Sequence, residues 1–249
     1  MPSYLFQYDP ETGRWTANML IKGLLTTLRL SFWGTLLAAL LGTVMGLARV
    51  SNSLFNRLIS RTYVELMRNT PPLVIIFIFY FFFSDQLMQA VGLDELIASL
   101  SDDARSVFAF LFIQPEYASS FFAALATLAI FEGAYITEIV RAGIQAVSKG
   151  QWEAASALGF SRWQQMRHII FPQALRQILP PLSGQFIALI KDSSIVSVIS
   201  IQELTFVGTE LMSSTYLTIE IWIVITLLYL VMTLPCSLLV RRLEVALSR

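Results

Sequence analysis

The sequence has very little cysteine, histidine or lysine, and these shortages exclude several kinds of chemistry. Its one cysteine, Cys236, can form no disulfide within the chain and no cysteine metal cluster. Its one histidine, His168, rules out the HExxH motif and any site with two histidine ligands. None of its three lysines completes a GxxxxGK[ST] loop. We therefore expect no metal centre and no ATP hydrolysis by a phosphate-binding loop of this chain.

Charged residues are also scarce, and the large share of hydrophobic residues indicates a membrane protein. Charged residues make up 14% of the chain and hydrophobic residues 55%, whereas soluble domains carry about 25% charged residues. The net charge is zero, which gives no reason to expect a nucleic-acid partner. Apolar runs of about 18 residues or more are long enough to cross a bilayer. The sequence therefore predicts an all-α integral membrane protein surrounded by lipid.

Hydropathy predicts about five spanning helices. They cover approximately residues 20–48, 72–87, 118–140, 181–201 and 217–240. These boundaries divide the chain into an N-terminal segment, 1–19, a single transmembrane domain, 20–240, and a tail, 241–249. The first span repeats a small residue every four positions, at Gly34, Ala38, Gly42 and Gly46. Small residues let helices approach closely in lipid, and we expect this face to pack within the chain rather than in a dimer.

The basic residues predict the orientation of the chain in the membrane. Segments 49–70, 141–180 and 241–249 hold twelve basic and three acidic residues, and the other connecting segments hold two basic and ten acidic residues. Basic loops stay in the cytoplasm. The prediction is therefore an external N-terminus, a cytoplasmic C-terminus, an external segment 84–117 with an interfacial helix, and a cytoplasmic loop 141–180.

The loop 141–180 is predicted to fold as two short helices on the cytoplasmic face. Residues 151–158 are good helix formers, and Gly159 can end that helix with a positive φ. Ser161 and Gln164 form a capping-box pattern that begins a second helix. Because proline disfavours a helical conformation in the residue before it, we expect this second helix to end at Phe171, before Pro172.

These residues carry a resemblance to a known family. Glu153-Ala154-Ala155, then Gly159, then Pro172 resemble the EAA loop in the membrane subunits of bacterial ABC importers. The resemblance extends over most of the chain, through residues 63–71, 133–144, 191–194 and 203–204. Together these segments resemble the permeases of the polar-amino-acid branch, which includes histidine, glutamine, glutamate and arginine importers.

The resemblance implies a type I ABC importer permease in the bacterial inner membrane. Such a subunit performs no bond chemistry and binds no cofactor, because ATP and magnesium bind a separate ATP-binding subunit. The implied partners are two copies of that subunit, a second permease chain, identical or related, and a periplasmic or lipid-anchored amino-acid-binding protein. The residues implied to couple the permease to the ATP-binding subunit are Gly150, Glu153, Ala154, Ala155 and Gly159.

Charges inside the membrane suggest where the substrate binds. Lys191 and Asp192 lie ten or eleven residues after Pro181, about 15 Å into the predicted fourth span and close to its middle. A charge at that depth usually marks a pathway. With Ser193 and Ser194 they supply a cation, an anion and hydroxyls for a zwitterion. The alternative is an interhelical ion pair.

The third predicted span offers further polar groups. Glu132 and Tyr135 share a helical face that could line the pathway. Glu138 follows on the same face, and it could instead pair with Arg141 or, like Glu132, with Lys191. We therefore predict substrate-binding roles for Glu132 and Tyr135 beside the residues of the fourth span.

The predicted function is ATP-driven import of a polar amino acid by alternating access. Glutamate, aspartate and glutamine are the expected substrates. The alternative is a secondary transporter driven by an ion gradient, with Asp192 or Glu132 titrating. A membrane-embedded enzyme fits poorly, because the sequence contains no nucleophile–base or metal constellation.

Overall fold

A computed structural model describes residues 6–9, 14–84 and 92–247 of the chain. The remaining parts of the predicted N-terminal segment, external segment and tail, residues 1–5, 10–13, 85–91 and 248–249, lie outside the described residues. The same holds for the last three residues of the predicted second span, 85–87. The described chain is mainly helical, which confirms the predicted fold class, and an antiparallel hairpin of β1 (Phe6–Asp9) and β2 (Arg14–Ala17) precedes the first helix.

The helices follow one another along the chain with short connections. They are α1 Met19–Arg49, α2 Leu54–Asn69, α3 Pro72–Ile78, α4 Leu93–Ala98, α5 Asp102–Leu111, α6 Ala118–Gln145, α7 Lys149–Ala157, α8 Arg162–Gln164, α9 Phe171–Asp192, α10 Leu204–Thr215 and α11 Thr218–Leu247. Two π-helical turns, Phe79–Ser84 and Gln165–Ile170, continue α3 and α8. Two 3₁₀ turns, Pro115–Tyr117 and Ser193–Ile199, precede α6 and follow α9.

Within the described residues, four helical stretches are long and apolar enough to cross a membrane. They are Met19–Arg49, Pro115–Gln145, Arg162–Ile199 and Thr218–Arg242. Leu54–Asn69 and Pro72–Phe81 form a bent pair that supplies a fifth span if both parts count as one. This agrees with the prediction of about five spans.

The predicted boundary between the loop and the fourth span is wrong. We expected a helix to end at Phe171 and the span to begin at Pro181, but helical structure runs from Arg162 to Ile199, with Pro180 and Pro181 inside α9. The π turn explains the passage through Pro172, because the N–H of Phe171 bonds to the carbonyl of Met166, five residues earlier. This wider turn accommodates a proline that an α-helical turn disfavours.

The chain forms two compact units. The first unit comprises residues 1–34, 72–128 and 188–235, and the second unit comprises 35–71, 129–187 and 236–249. Each unit has its own apolar core. In the first unit the core includes Leu30, Phe121, Leu125, Leu128 and Val196. In the second unit it includes Ala38, Ile136, Val140, Ile170 and Ala174.

The small residues of α1 pack within the chain, as predicted. In the second unit, a Cβ on Gly42 would lie 2.6 Å from Cβ of Ile136, and one on Gly46 would lie 2.6 Å from Cγ1 of Val140. The helix α6 therefore lies against the glycine face of α1 with no room for side chains between them.

The predicted helix between residues 84 and 117 exists as two short helices, α4 and α5, in the first unit. Ile97 and Ile113 enter the core of that unit. The indole N–H of Trp33 donates to the carbonyl of Leu111 at 3.0 Å, and Arg105 donates to the carbonyl of Ala98 at 2.7 Å. These contacts hold α5 against α1 and α4.

Candidate functional site

The helix α7 carries the Glu153-Ala154-Ala155 sequence, and its C-terminus has a defined geometry. Gly159 follows with φ +76°, which confirms the predicted left-handed glycine. Its N–H bonds to the carbonyl of Ser156 at 3.0 Å, and the N–H of Phe160 bonds to the carbonyl of Ala155 at 3.2 Å. These bonds use carbonyls that would otherwise lack a partner at the helix end.

Side-chain hydrogen bonds cap the helical segment that follows α7 and join it to α7. Ser161 and Gln164 form the predicted capping box, with both reciprocal bonds present. The side-chain amide of the buried Gln165 donates to Ser156 Oγ at 3.0 Å and to the carbonyl of Phe160 at 2.8 Å. Gln165 was not predicted from the sequence, because nothing in its local pattern distinguishes it from its neighbour Gln164.

The predicted coupling residues occupy two different environments. Ala155 is fully buried, so it packs α7 against the rest of the second unit. Gly150, Glu153, Ala154 and Gly159 are exposed. Two large apolar residues, Leu158 and Trp163, are 74% and 68% exposed beside them. Neither residue was predicted from the sequence, because the same loop holds other large apolar residues, such as Trp152 and Phe160, that are only partly exposed.

A cavity of about 500 Å³ in the second unit combines charged and amide side chains with apolar ones. Its lining includes Arg68, Tyr135, Glu138, Arg141, Gln177 and Gln185. The guanidinium carbon of Arg68 lies 5.4 Å from the ring centroid of Tyr135. No ion pair with Arg68 occurs in the described part of the chain. The cavity thus has one cation available for an anionic group.

The two carboxylates of α6 have partners inside the second unit. Glu132 is fully buried and accepts a hydrogen bond from Gln185. Glu138 lies 3.0 Å from Nε of Arg49 and 2.7 Å from Nη2 of Arg141. The pairing of Glu138 with Arg141 confirms one of the interpretations left open by the sequence.

Lys191 lines a second cavity, of about 340 Å³, in the first unit. Ser194, Thr205, Trp222 and Tyr229 share its wall. Lys191 itself is exposed, and Asp192 is partly buried where α9 passes into its 3₁₀ turn. The hydroxyl of the buried Ser193 donates to the carbonyl of Ile190 at 2.8 Å.

The six predicted substrate residues are divided between the two units. Lys191 to Ser194 belong to the first unit, and Glu132 and Tyr135 belong to the second. Lys191 and Ser194 both line the cavity of the first unit. Tyr135 and Arg68 both line the cavity of the second unit. Arg68 was not among the predicted substrate residues.

Glu203 was assigned no role from the sequence, and it is fully buried at the start of α10 in the first unit. Its carboxylate accepts hydrogen bonds from the N–H of Phe206 at 2.7 Å, the N–H of Thr205 at 2.9 Å and the hydroxyl of Tyr229 at 2.9 Å. Burial raises the pKa of the Glu203 carboxyl to about 7, although these hydrogen bonds act in the opposite direction. Glutamate is not a preferred residue at a helix N-terminal cap, so this role had no clear sequence signal.

Comparison with known proteins defines the class. Residues 20–249 match the family described as the binding-protein-dependent transport system inner membrane component. The chain belongs to this family. It is therefore a multi-pass protein of the bacterial inner membrane.

Similar proteins define the branch of the family. The chain is 35% identical to the glutamine transport system permease protein GlnP of Escherichia coli K12, over 91% of each chain. It is 36% identical to the probable glutamine ABC transporter permease protein GlnM of Bacillus subtilis 168, over 88% of this chain and 92% of the relative. It is similar to the crystal structure of an amino acid ABC transporter with histidines, with a TM-score of 0.71 and 35% identity over 91% of this chain and 92% of that one. The protein is thus a permease subunit of the polar-amino-acid type I ABC importers, and its transport is driven by ATP.

Proposed function

We propose that this permease imports glutamine, or glutamate or aspartate, and that α7 couples it to an ATP-binding subunit. The relatives named for glutamine transport support the choice of substrate. The proposed assembly contains two ATP-binding subunits, a second permease chain and an external amino-acid-binding protein. ATP and its magnesium ion bind the ATP-binding subunits, and this chain performs no bond chemistry.

The observation that carries the coupling role is the rigid, exposed helix α7. Glu153 and Ala154 project from it, and Leu158 and Trp163 add apolar area beside them. Buried Ala155 and the bonds of Gln165 hold α7 to the second unit, so a force on α7 would move that unit as a body. Gly150 and Gly159 are exposed at the two ends of α7.

The proposed orientation has the N-terminus outside and the C-terminus inside. The excess of basic residues in 49–70, 141–180 and 241–249 supports it. In this orientation 1–19 and 84–117 face outward, the single transmembrane domain 20–240 crosses the membrane, and α7 faces the cytoplasm, where ATP is available.

The proposed substrate contacts are divided between the two cavities. In the second unit, Arg68 is suited to bind the substrate carboxylate, because Tyr135 is stacked with it and no carboxylate of the described chain is paired with it. Gln185 lines the same cavity and donates a hydrogen bond to the fully buried Glu132, so Glu132 would act on the substrate through Gln185. In the first unit, Lys191 and Ser194 offer a cation and a hydroxyl. Asp192 and Ser193 lie between these two residues in the chain, where α9 passes into its 3₁₀ turn.

The ion-driven alternative is not favoured, because the chain belongs to a family of binding-protein-dependent permeases. A carrier driven by an ion gradient would also have no use for an ATPase docking helix.

The decisive experiment is copurification with the ATP-binding subunit, followed by ATP hydrolysis in proteoliposomes with and without loaded binding protein. We expect stimulated hydrolysis, and Glu153→Arg should abolish both the stimulation and import. Glu116→Arg is the matched control, since it makes the same charge change at an exposed glutamate of the first unit. An amino-acid panel in the same assay identifies the substrate.

Two results would contradict the proposal. Stimulated hydrolysis that survives Glu153→Arg would remove α7 from the coupling path. Import that continues without ATP and follows an imposed ion gradient would favour the secondary carrier.

A further inference from the structure

We propose that four arginines of the second unit bind the phosphate headgroup of an anionic phospholipid. Arg49, Arg57, Arg61 and Arg141 line a cavity of about 380 Å³. Leu54, Leu58 and Gln145 complete its wall. The inference uses the membrane location of the protein and is independent of the proposed coupling helix and substrate.

The cluster carries more positive charge than its neighbours neutralise. Glu138 pairs with Arg49 and Arg141. Within the described ranges, no carboxylate forms an ion pair with Arg57 or Arg61. Four guanidinium groups and one carboxylate therefore leave an excess of positive charge at the cavity, which a phosphate can offset.

Two details show that the excess charge is available. Nη1 of Arg49 is buried and forms no hydrogen bond with the described residues, so a buried donor lacks an acceptor. Glu65, one turn after Arg61 on α2, instead accepts a hydrogen bond from the side chain of Asn69 at 2.9 Å. Guanidinium groups bind phosphate oxygens through paired N–H donors, so the chemistry of the cluster matches a phosphate.

The position of the cluster along the chain places it near a membrane surface. Arg49 is the last residue of α1, and Arg141 lies in the last turns of α6, and both helices are long and apolar enough to span. Because both arginines bond to Glu138, these two span ends lie at one level. Phospholipid headgroups occupy the level where spanning helices end.

The surface beside the arginines distinguishes a lipid from a soluble phosphate. Leu54, Phe55 and Leu58 of α2 are 62%, 71% and 52% exposed. Arg57 and Arg61 lie among them, at positions one turn apart on the same helix. A helix with exposed apolar side chains and arginines is typical of the interface, where the apolar groups meet acyl chains and the cations meet headgroups. Free phosphate would leave the apolar side chains in water.

The test is lipid binding to the purified complex of this permease with its ATP-binding subunit. The delipidated complex is titrated with phosphatidylglycerol or phosphatidylcholine, and bound lipid is counted by native mass spectrometry. We expect the wild-type complex to prefer phosphatidylglycerol. The double variant Arg57→Gln/Arg61→Gln should bind it about 25-fold more weakly, since each basic residue near a membrane surface contributes about fivefold. Binding of phosphatidylcholine should not change.

Matched control variants distinguish lipid binding at this cavity from a general effect of positive charge. Arg167→Gln/Arg176→Gln removes the same charge from two exposed arginines of the second unit that do not line the cavity, and it should keep the preference. Arg61→Lys retains the charge and should lose less affinity than Arg61→Gln, and it keeps the test open if the double variant does not fold.

Four results would overturn the inference. The double variant could retain the wild-type preference, or the control could lose as much. Millimolar inorganic phosphate could displace phosphatidylglycerol from the wild-type complex, which would indicate a site for free phosphate. The double variant could lose its ATP-binding subunit while keeping the lipid preference, which would assign the arginines to a protein interface. None of these results depends on ATP hydrolysis or on Glu153.

Discussion

Two glutamates, one in each unit, are stabilised in opposite ways. Glu203 of the first unit is fully buried, and its hydrogen-bond donors are neutral: two backbone N–H groups at the start of α10, the hydroxyl of Tyr229 and, at 3.4 Å, that of Thr27. Glu138 of the second unit is partly exposed, and its partners are the guanidinium groups of Arg49 and Arg141.

The difference shows that burial governs the environment of Glu203, whereas ion pairing governs that of Glu138. Neutral donors satisfy the oxygens of Glu203 but do not cancel its charge, which the N-terminus of α10 offsets only in part. That network joins α10 to α1 and α11 within the first unit. The arginines do cancel the charge of Glu138, and water reaches that network. We therefore expect burial to dominate at Glu203, and charge and salt to dominate at Glu138.

The largest expected effect comes from Glu203→Leu. The substitution leaves two helix N–H groups and the Tyr229 hydroxyl buried without an acceptor, which should lower the free energy of unfolding by about 3 kcal/mol or more. Thermal unfolding of the purified complex in detergent measures it. Glu210→Leu, at an exposed position of the same helix, is the control. Equal small losses in both variants would contradict the structural role of Glu203.

Glu138→Gln should have a smaller effect that depends on salt. It leaves two arginines without their carboxylate, and because the pair is 17% exposed we expect a loss of about 2 kcal/mol, between the values for surface and buried pairs. Unfolding measured at about 0.05 M and about 1 M salt should show the loss shrinking, since salt screens exposed charges. Glu203→Leu should show no such dependence, and a salt effect at both sites would break the comparison.

Local sequence patterns predicted the features that are stabilised by short-range interactions or by burial in lipid. Apolar length gave the spans, the i, i+3 spacing of Glu138 and Arg141 gave an ion pair, and Gly159 gave a helix end. Each depends on residues within one turn or on burial in lipid. The same reasoning failed at Pro172, because a π turn changes which carbonyl a helical N–H can reach.

Contacts between distant segments could not be predicted from one sequence. Glu203 meets Thr27 and Tyr229 only because α1 and α11 pack beside α10. Arg68 and Tyr135 approach through the packing of α2 against α6. Neither pairing leaves a periodic signal, so the candidate cavities appear only in the folded chain.

The pKa of Glu203 predicts a dependence of stability on pH. Because burial raises this pKa from 4.5 to about 7, the folded state favours the protonated carboxyl. The associated stability is fully present below pH 4.5 and is lost as pH rises through 7. The loss should approach about 1 kcal/mol per pH unit inside that window. Glu203→Gln, which cannot ionise, should flatten the curve. A wild-type curve that rises through this window would contradict the assignment.

The smallest expected effect concerns the left-handed backbone conformation of Gly159, which is exposed and takes no part in an ion pair. Gly159 has φ +76°, and no atom lies within 4 Å of the position that a Cβ would take. Gly159→Ala should therefore cost about 1 kcal/mol through backbone strain alone. Gly184→Ala is the control, since that glycine has equal space without a positive φ, and alanine there should be neutral or stabilising. Gly159→Asn should fall between them, because asparagine tolerates the left-handed region. If all three variants unfold at one temperature, the left-handed turn does not restrain α7, and the position of α7 depends on buried Ala155 and the bonds of Gln165.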